Sequence, residues 1–167
     1  MKKILFVFVA AALAASTLAA VPKGWTDDFE AAKKRAAKES KPMLVLFTGS
    51  DWCIWCKRLE GEVFSKEAFT SAIPKEMVPV FLDFPSDESL VTPERRQKNE
   101  WLGRFYGIRG YPTVLLMDAK GEVFAKTGYR PGGPEPYVQH LRQLVAEKMP
   151  KPVKAETAKP APKSEAK

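Results

Sequence analysis

Cysteine and histidine are scarce in this chain, whose 167 residues include two cysteines and one histidine. A zinc site takes four protein ligands, or three and a water molecule, mostly from cysteine, histidine and carboxylate side chains. Only Cys53 and Cys56 are close in sequence, no second cysteine pair exists, and His140 lies in a distant segment. We therefore expect no metal site, and we expect His140 to be a surface or half-buried residue without a catalytic role.

The sequence also lacks a fixed-period repeat, and most of its net positive charge lies near its two ends. Most of the formal net charge of +7 comes from Lys2, Lys3 and the lysine-rich residues 150–167. The residues between them carry little net charge, whereas a nucleic-acid-binding domain normally presents a basic face of its own. We therefore expect no nucleic-acid partner. The sequence shows no obvious dimerisation segment, so a monomer is expected.

Both ends of the chain have compositions that are not typical of a folded domain. Residues 1–20 combine two lysines, a long apolar run and Ala19-Ala20, which is typical of a cleaved secretory signal peptide; a retained anchor is the alternative. Residues 150–167 carry four prolines among Lys, Ala and Glu and predict a disordered tail. We therefore expect a folded domain over residues 21–149 in the periplasm or outside the cell, where disulfides persist.

Cys53 and Cys56 lie between an apolar run over residues 43–47 and a helix-compatible run over residues 57–64. This order places them where a buried strand ends and a helix begins. The unpaired N–H groups and the macrodipole at a helix N-terminus favour an anion such as a thiolate, which is the nucleophile of disulfide exchange. A structural bridge is the alternative, but a disulfide that closes so short a loop constrains the unfolded chain little. Redox chemistry is the favoured interpretation.

Hydrophobic periodicity, prolines and capping residues predict eight elements in the order helix, strand, helix, strand, helix, strand, strand, helix. Since the first two strands are joined through a helix, they are expected to be parallel with a right-handed crossover, and the last two form a hairpin. The sequence thus predicts an α/β fold with a mixed four-stranded sheet and helices on both faces. The predicted helices are 25–40, 57–64 (with a continuation or second helix at 65–73 closed by Pro74), 92–106 with Trp101, Leu102 and Phe105 as its apolar face, and 136–149; the strands are 43–47, 77–84 (interrupted by Pro79), 112–117 and 122–127.

Two motifs resemble the thioredoxin superfamily over about residues 25–148. The first is Trp52-Cys53-Ile54-Trp55-Cys56-Lys57, which follows the first strand, and the second is Gly107-Ile108-Arg109-Gly110-Tyr111-Pro112-Thr113, which precedes the hairpin. The segment from Asp51 to Lys57, with Glu62-Val63-Phe64 following, is similar to exported thioredoxin-like proteins of Gram-negative bacteria. The resemblance implies a thioredoxin-like fold with no cofactor beyond a redox-active Cys53–Cys56 disulfide.

The same resemblance implies roles for individual residues. Cys53 would be the attacking thiolate and Cys56 the resolving thiol. Pro112 would be a cis-proline against the Cys53 sulfur, which would let the backbone of Tyr111 pair with an extended substrate segment. Trp52 would flank the cysteines as an apolar platform, although a mere core aromatic is the alternative. Gly110, Ile54 and Trp55 complete the expected substrate-binding residues.

The sequence departs from the family pattern at two places. Thioredoxins carry a buried aspartate six residues before the first cysteine, and Phe47 stands here. Asp51, Lys57 or Glu60 could transfer the proton through water instead, Glu60 because it follows Cys56 by four residues and shares its helix face; ordinary solvated charges are the alternative. The loop over residues 85–93 is also longer than the minimal family connection, so it either shapes a binding surface or is a tolerated insertion.

The residues between the cysteines indicate the direction of the reaction. Strong oxidants of this family have a histidine there, whereas Ile54-Trp55 adds no positive charge that would stabilise a thiolate. We therefore expect a reduction potential nearer to about −270 mV, the thioredoxin value, than to the roughly −120 mV of the strongest oxidants. This predicts an envelope thiol–disulfide oxidoreductase that reduces or isomerises disulfides of cysteine-containing protein substrates and receives electrons from a membrane-bound reductant. Two alternatives stay open: a thioredoxin-fold binding or chaperone module, and a dedicated electron relay, for example in cytochrome maturation.

Overall fold

The computed structural model describes residues 21–149, so the predicted signal peptide and the predicted tail lie outside the described residues. Between residues 21 and 149 there are five α-helices and four strands. A π-helical turn, Glu60–Phe64, directly follows the second helix, and a 3₁₀ turn, Glu88–Leu90, precedes the fourth. The helices are α1 Phe29–Glu39, α2 Ile54–Leu59, α3 Glu67–Glu76, α4 Pro93–Phe105 and α5 Pro134–Lys148; the strands are β1 Met43–Thr48, β2 Val78–Asp83, β3 Thr113–Met117 and β4 Val123–Thr127.

The strands form one mixed sheet in the order β2-β1-β3-β4, which confirms the predicted four-stranded arrangement. β1 is parallel to β2 and antiparallel to β3, and β3 and β4 form the predicted hairpin. The turn between them needs Gly121, whose φ of 89° is in the left-handed region. Because of these directions, the C-terminal ends of β1, β2 and β4 and the N-terminal end of β3 meet at one edge of the sheet, hereafter the active edge.

The core lies in two layers, one on each face of the sheet, as predicted. Leu46 and Phe47 are neighbours in β1, so their side chains point to opposite faces. On the first face, Leu46 packs with the aromatic side chains that follow α2 and belong to α3 and α5: Phe64, Phe69 and Tyr137. On the second face, Phe47 packs with α1 and α4, through residues such as Phe29 and Leu102.

The first helix is shorter than predicted, because α1 begins at Phe29 and not at Trp25. The Asp28 carboxylate accepts a hydrogen bond from the Ala31 N–H at 3.0 Å and caps the helix. Thr26, just before the cap, instead bonds to the free edge of β2: its N–H donates to the Pro79 carbonyl, and the Phe81 N–H donates to the Thr26 carbonyl. A strong capping side chain inside the predicted helix is the signal that marks its true start.

The predictions that Pro74 ends a helix and that Pro79 interrupts a strand are both wrong. Pro74 does not end α3, which continues to Glu76. Pro79 does not interrupt β2; its backbone faces the outer side of an edge strand, where a missing N–H costs no bond to β1.

The predicted apolar face of α4 is also wrong in part, because Leu102 is buried while Trp101 and Phe105 are 55% and 65% exposed.

Candidate active site

The two cysteines lie at the N-terminus of α2, directly after the loop that follows β1, as predicted. Cys53 is the N-cap of this helix, and its sulfur accepts a hydrogen bond from the Cys56 N–H at 3.2 Å. The Cys53 N–H donates to the Gly49 carbonyl at 2.9 Å and closes the loop. The two residues form a disulfide with a Cα–Cα distance of 5.2 Å. The N–H groups of the first helical turn are therefore in place to stabilise a thiolate at Cys53 when the bond is reduced.

The disulfide itself is buried, but the side chains around it are exposed. Cys53 and Cys56 retain only 6% and 4% of their surface, whereas Trp52, Ile54 and Trp55 are about half exposed or more. Exposed large apolar side chains around a reactive group usually mark a contact surface for another molecule. The motif thus presents an apolar rim around a recessed disulfide.

Trp52 and Tyr111, both predicted substrate-binding residues, lie together on the active edge. The Trp52 indole packs edge-on against the Tyr111 ring at 5.7 Å, and its Nε1–H donates to the Phe84 carbonyl at 2.9 Å. The indole also lies so close to Gly49 that a Cβ there would be 2.5 Å from the ring, so a side chain at position 49 would displace it. The Tyr111–Pro112 peptide bond is cis. Gly110, beside Tyr111 in the chain, is exposed.

Trp55 is supported by residues that the sequence analysis missed. Its ring packs against Tyr129 at 5.3 Å, and the Arg58 guanidinium lies over both rings at 5.2 and 5.7 Å. The Tyr129 hydroxyl donates to the Glu62 carboxylate at 2.6 Å, and Arg58 bonds to the same carboxylate at 3.1 Å. The adjacent carboxylate raises the pKa of Tyr129 above its ordinary value. Only the helical spacing of Arg58 and Glu62 could have been read from the sequence.

Asp51 and Lys57, two of the predicted proton-transfer residues, are engaged with the backbone. Desolvation alone would raise the pKa of Asp51, but hydrogen bonds from the N–H groups of Asp87 and Ser86 outweigh it and lower this pKa. The Lys57 ammonium donates to the Asp51 carbonyl at 2.6 Å. Asp51 thereby ties the long loop after β2 to the cysteine loop, which is a positioning contact rather than one that favours proton transfer.

Glu60, the third predicted proton-transfer residue, lies in a partly desolvated environment. It is partly buried at the start of the π-helical turn, and desolvation raises its pKa above the ordinary value of 4.5. It follows Cys56 by four residues, so the two side chains lie on one face of the helical segment. Glu60 thus combines a placement on the Cys56 face of the helix with a raised pKa.

The raised pKa of Glu60 gives a prediction about stability. A carboxyl group whose folded pKa exceeds its unfolded value of about 4.5 favours the folded state below that pH, and this contribution is lost as pH rises through the folded pKa. We therefore expect Glu60→Gln to increase the free energy of unfolding relative to wild type at about pH 7, and the difference to vanish near about pH 4. Urea titrations at the two pH values measure it.

Glu62→Gln is the matched control with the opposite sign. The hydrogen bond from Tyr129 lowers the pKa of Glu62, so its contribution is present at neutral pH and is lost as pH falls through the folded pKa. Glu62→Gln should therefore destabilise the protein at neutral pH. A Glu60→Gln variant that is also less stable than wild type at neutral pH would contradict the desolvation argument.

Asp83 is a buried carboxylate that the sequence analysis did not select. It ends β2 opposite Thr48, is only 4% exposed, and accepts hydrogen bonds from the Ser50 N–H at 3.0 Å and the Ser50 hydroxyl at 2.6 Å. Desolvation raises the pKa of Asp83 despite these bonds. Phe47 lies one strand away and packs against Phe84 in the core. A buried carboxylate is thus present near the cysteine loop, but on the strand next to the one where thioredoxins carry theirs.

His140 lies on α5, is half-buried as predicted, and pairs with the Thr127 hydroxyl at 3.0 Å. Burial lowers its pKa.

Within residues 21–149, no group of three or more His, Cys, Asp and Glu side chains could hold a metal ion. No helix in this part of the chain is long and apolar enough to cross a membrane.

Comparisons with known proteins agree with this geometry. A family described as thioredoxin-like domain matches residues 29–144. The disulfide bond reductase DsbH of Chlamydia pneumoniae is 31% identical over 128 residues, which cover 77% of this chain and 76% of DsbH. A solved structure of a DsbH oxidoreductase aligns with a TM-score of 0.69 at 27% identity, over 89% of this chain and 96% of that one. The thiol:disulfide interchange protein DsbD of Actinobacillus pleuropneumoniae is 29% identical over 90 residues, which are 54% of this chain and 14% of DsbD. Together with the Cys53–Cys56 disulfide, these matches establish that the chain belongs to the thioredoxin-like family and is a thiol–disulfide oxidoreductase.

Proposed function

We propose that this protein reduces or isomerises the disulfides of other proteins in the cell envelope. The observation that carries the proposal is the recessed Cys53–Cys56 disulfide at a helix N-terminus, surrounded by an exposed apolar rim. A rim of tryptophan and isoleucine side chains suits a protein segment better than a small hydrophilic thiol, because each apolar side chain buried against it contributes favourably to association. The similarity to the reductase DsbH supports the same direction of reaction.

The charges near the cysteines favour the reducing direction. The dipeptide Ile54-Trp55 contains no cation, so it adds no positive charge that would stabilise a thiolate between the cysteines. A dithiol whose reduced form is less stabilised is a stronger reductant. We therefore expect a potential near about −270 mV.

The proposed reaction has two exchange steps. The Cys53 thiolate attacks one sulfur of a substrate disulfide, which forms a mixed disulfide and releases the other substrate sulfur as a thiolate. The Cys56 thiol then loses its proton and attacks Cys53, which releases the second substrate thiolate and restores the Cys53–Cys56 disulfide. Each cycle thus transfers two electrons to the substrate. Glu60 is the residue that we propose to accept the Cys56 proton, directly or through water.

The proposed partners follow from this cycle. The substrates are proteins with cysteines, with Trp52, Ile54, Trp55, Gly110, Tyr111 and Pro112 as the proposed contact residues. Because every turnover leaves the enzyme oxidised, a reductant must supply electrons, and we propose a membrane-bound one, in line with the similarity to a segment of DsbD. We further propose a periplasmic monomer, exported by a signal peptide at residues 1–20, with no nucleic-acid partner.

The reduction potential of Cys53/Cys56 tests the proposal. The mature protein is titrated with defined ratios of reduced and oxidised glutathione or dithiothreitol, and the fluorescence of Trp52 and Trp55 reports the fraction oxidised. We expect a midpoint near about −270 mV together with reduction of insulin disulfides. The control variant Phe105→Ala, which changes an exposed side chain on α4, should give the same midpoint. A midpoint near about −120 mV would contradict the proposal and make the protein a disulfide-forming oxidant.

A further inference from the structure

At the active edge, two aromatic supports lie beside the disulfide: one holds Trp52 and the other holds Trp55. Trp52 contacts Phe84, which follows β2, and Tyr111, which precedes β3. Trp55 contacts Tyr129, which follows β4 at the opposite side of the sheet. The two tryptophans therefore have different partners: Trp52 contacts residues next to β2 and β3, and Trp55 contacts the residue after β4.

The second support, which we call the Tyr129 shelf, consists of Trp55, Arg58, Glu62 and Tyr129. Its polar groups satisfy one another, since the Glu62 carboxylate accepts hydrogen bonds from both the Tyr129 hydroxyl and the Arg58 guanidinium. The Arg58 charge is therefore paired, and its planar group is stacked over the two rings. The Trp55 indole is 48% exposed, and the paired Arg58 and Glu62 side chains lie beside it at the surface.

Helix α5 holds the backbone next to Tyr129 in position. The Tyr137 hydroxyl donates to the Gly128 carbonyl at 2.9 Å, directly before Tyr129. A Cβ at Gly128 would be 3.1 Å from the Pro112 carbonyl, so the strand that leads to Tyr129 passes close to the cis-proline segment. The shelf is thus a continuation of the surface around the disulfide and not a separate patch.

We propose that the Tyr129 shelf is a specificity subsite that binds a large apolar or aromatic side chain adjacent to the reacting cysteine of a protein substrate. This inference rests on the proposed function. An apolar side chain fits because the Arg58 charge is already paired with Glu62, while the rings offer a flat surface for aromatic contact. Trp55 is the contacting residue, and Tyr129, Arg58 and Glu62 position it.

The test uses three synthetic peptides with one cysteine, linked as a mixed disulfide to thionitrobenzoate. The residues that flank the cysteine are Phe-Cys-Ser, Ser-Cys-Phe or Ser-Cys-Ser. The Cys53 thiolate attacks the peptide sulfur and thionitrobenzoate leaves as a coloured thiolate; Cys56 then releases the peptide thiol and the enzyme becomes oxidised. The second-order rate constant of reduced enzyme is measured for each peptide.

We expect wild type to favour at least one phenylalanine peptide over Ser-Cys-Ser by about fivefold, the size of an aromatic contact in such systems. Tyr129→Ala should bring the preference for one order below about twofold; where wild type favours both orders, the preference for the other order should remain. Because each ratio is taken within one variant, a general loss of activity cancels. Tyr129→Phe keeps the ring without the bond to Glu62 and should retain the preference, and Phe105→Ala should behave as wild type.

Three results would overturn the inference while leaving the proposed function intact: no phenylalanine preference in wild type, an unchanged preference in Tyr129→Ala, or an equal loss in both orders, which would mark Tyr129 as merely structural. If reduced wild type released no thionitrobenzoate from any peptide and also failed to reduce insulin, the proposed function would fail, and this inference with it.

Discussion

Cys53→Ser should abolish the reduction of protein disulfides, and Cys56→Ser should convert the enzyme into a trap for its substrates. Serine at position 53 has no thiolate to attack a substrate disulfide, so insulin reduction should fall to the rate of the buffer blank. With serine at position 56, Cys53 can still attack, but no second thiol resolves the mixed disulfide. The trapped species should be stable on a non-reducing gel and should disappear when dithiothreitol is added.

Phe105→Ala is the control for both variants, because it replaces an exposed side chain far along α4 and should reduce insulin like wild type. The pattern of trapped partners also separates the remaining functional alternatives. Many mixed disulfides with envelope proteins would support a general reductase or isomerase, whereas one dominant mixed disulfide would identify a dedicated relay. A Cys53→Ser variant with undiminished insulin reduction would show that the cysteines are not the reacting groups.

Phe64→Ala should cost the folded protein about 3–5 kcal/mol, since truncation of a buried phenylalanine removes its apolar contacts and leaves a cavity. Phe64 is 2% exposed, and its ring contacts those of Trp25, Phe69 and Tyr137 at centroid distances of 5.1, 4.6 and 5.7 Å. The loss is measured as a change in the free energy of unfolding in urea, with the disulfide intact in both proteins.

Phe105→Ala makes the same chemical change at a side chain that is 65% exposed. Substitutions at exposed positions usually change stability by less than about 0.5 kcal/mol, so the two variants should differ several-fold in effect. Equal losses would mean that the burial of Phe64 does not decide its contribution. Because Phe64 belongs to the turn directly after α2, the same variant also shows how strongly the active-site helix depends on the aromatic core beneath it.

Local patterns predicted the strands and the chemistry well. The apolar run over residues 43–47 became β1, the Asp118–Gly121 turn became the hairpin, and Thr92 capped α4 as expected. Each of these features depends on neighbouring residues in the chain, through burial of a continuous run, turn geometry or capping. The error at Pro79 arose because the effect of a proline in a strand depends on whether its missing N–H would have had a partner in the sheet.

Contacts between distant segments were beyond the sequence analysis. Ser50 and Asp83 are 33 residues apart, and Glu62 and Tyr129 are 67 residues apart. Asp83 is a candidate buried acid only because β2 lies beside β1, and Tyr129 supports Trp55 only because β4 ends at the active edge. The exposure of Trp101 and Phe105 likewise depends on how α4 packs, which a single helical pattern does not specify.

The sequence by itself determined the reactive group and its local setting, because two cysteines at a strand–helix junction acquire a helix N-terminus from residues within a few positions of them. The tertiary structure decided what surrounds that group: which carboxylates are desolvated near it, which aromatic rings support the two tryptophans, and which apolar side chains stay exposed. Desolvation and side-chain packing are set by segments that meet only after the sheet has formed, so they follow from strand order rather than from any stretch of sequence.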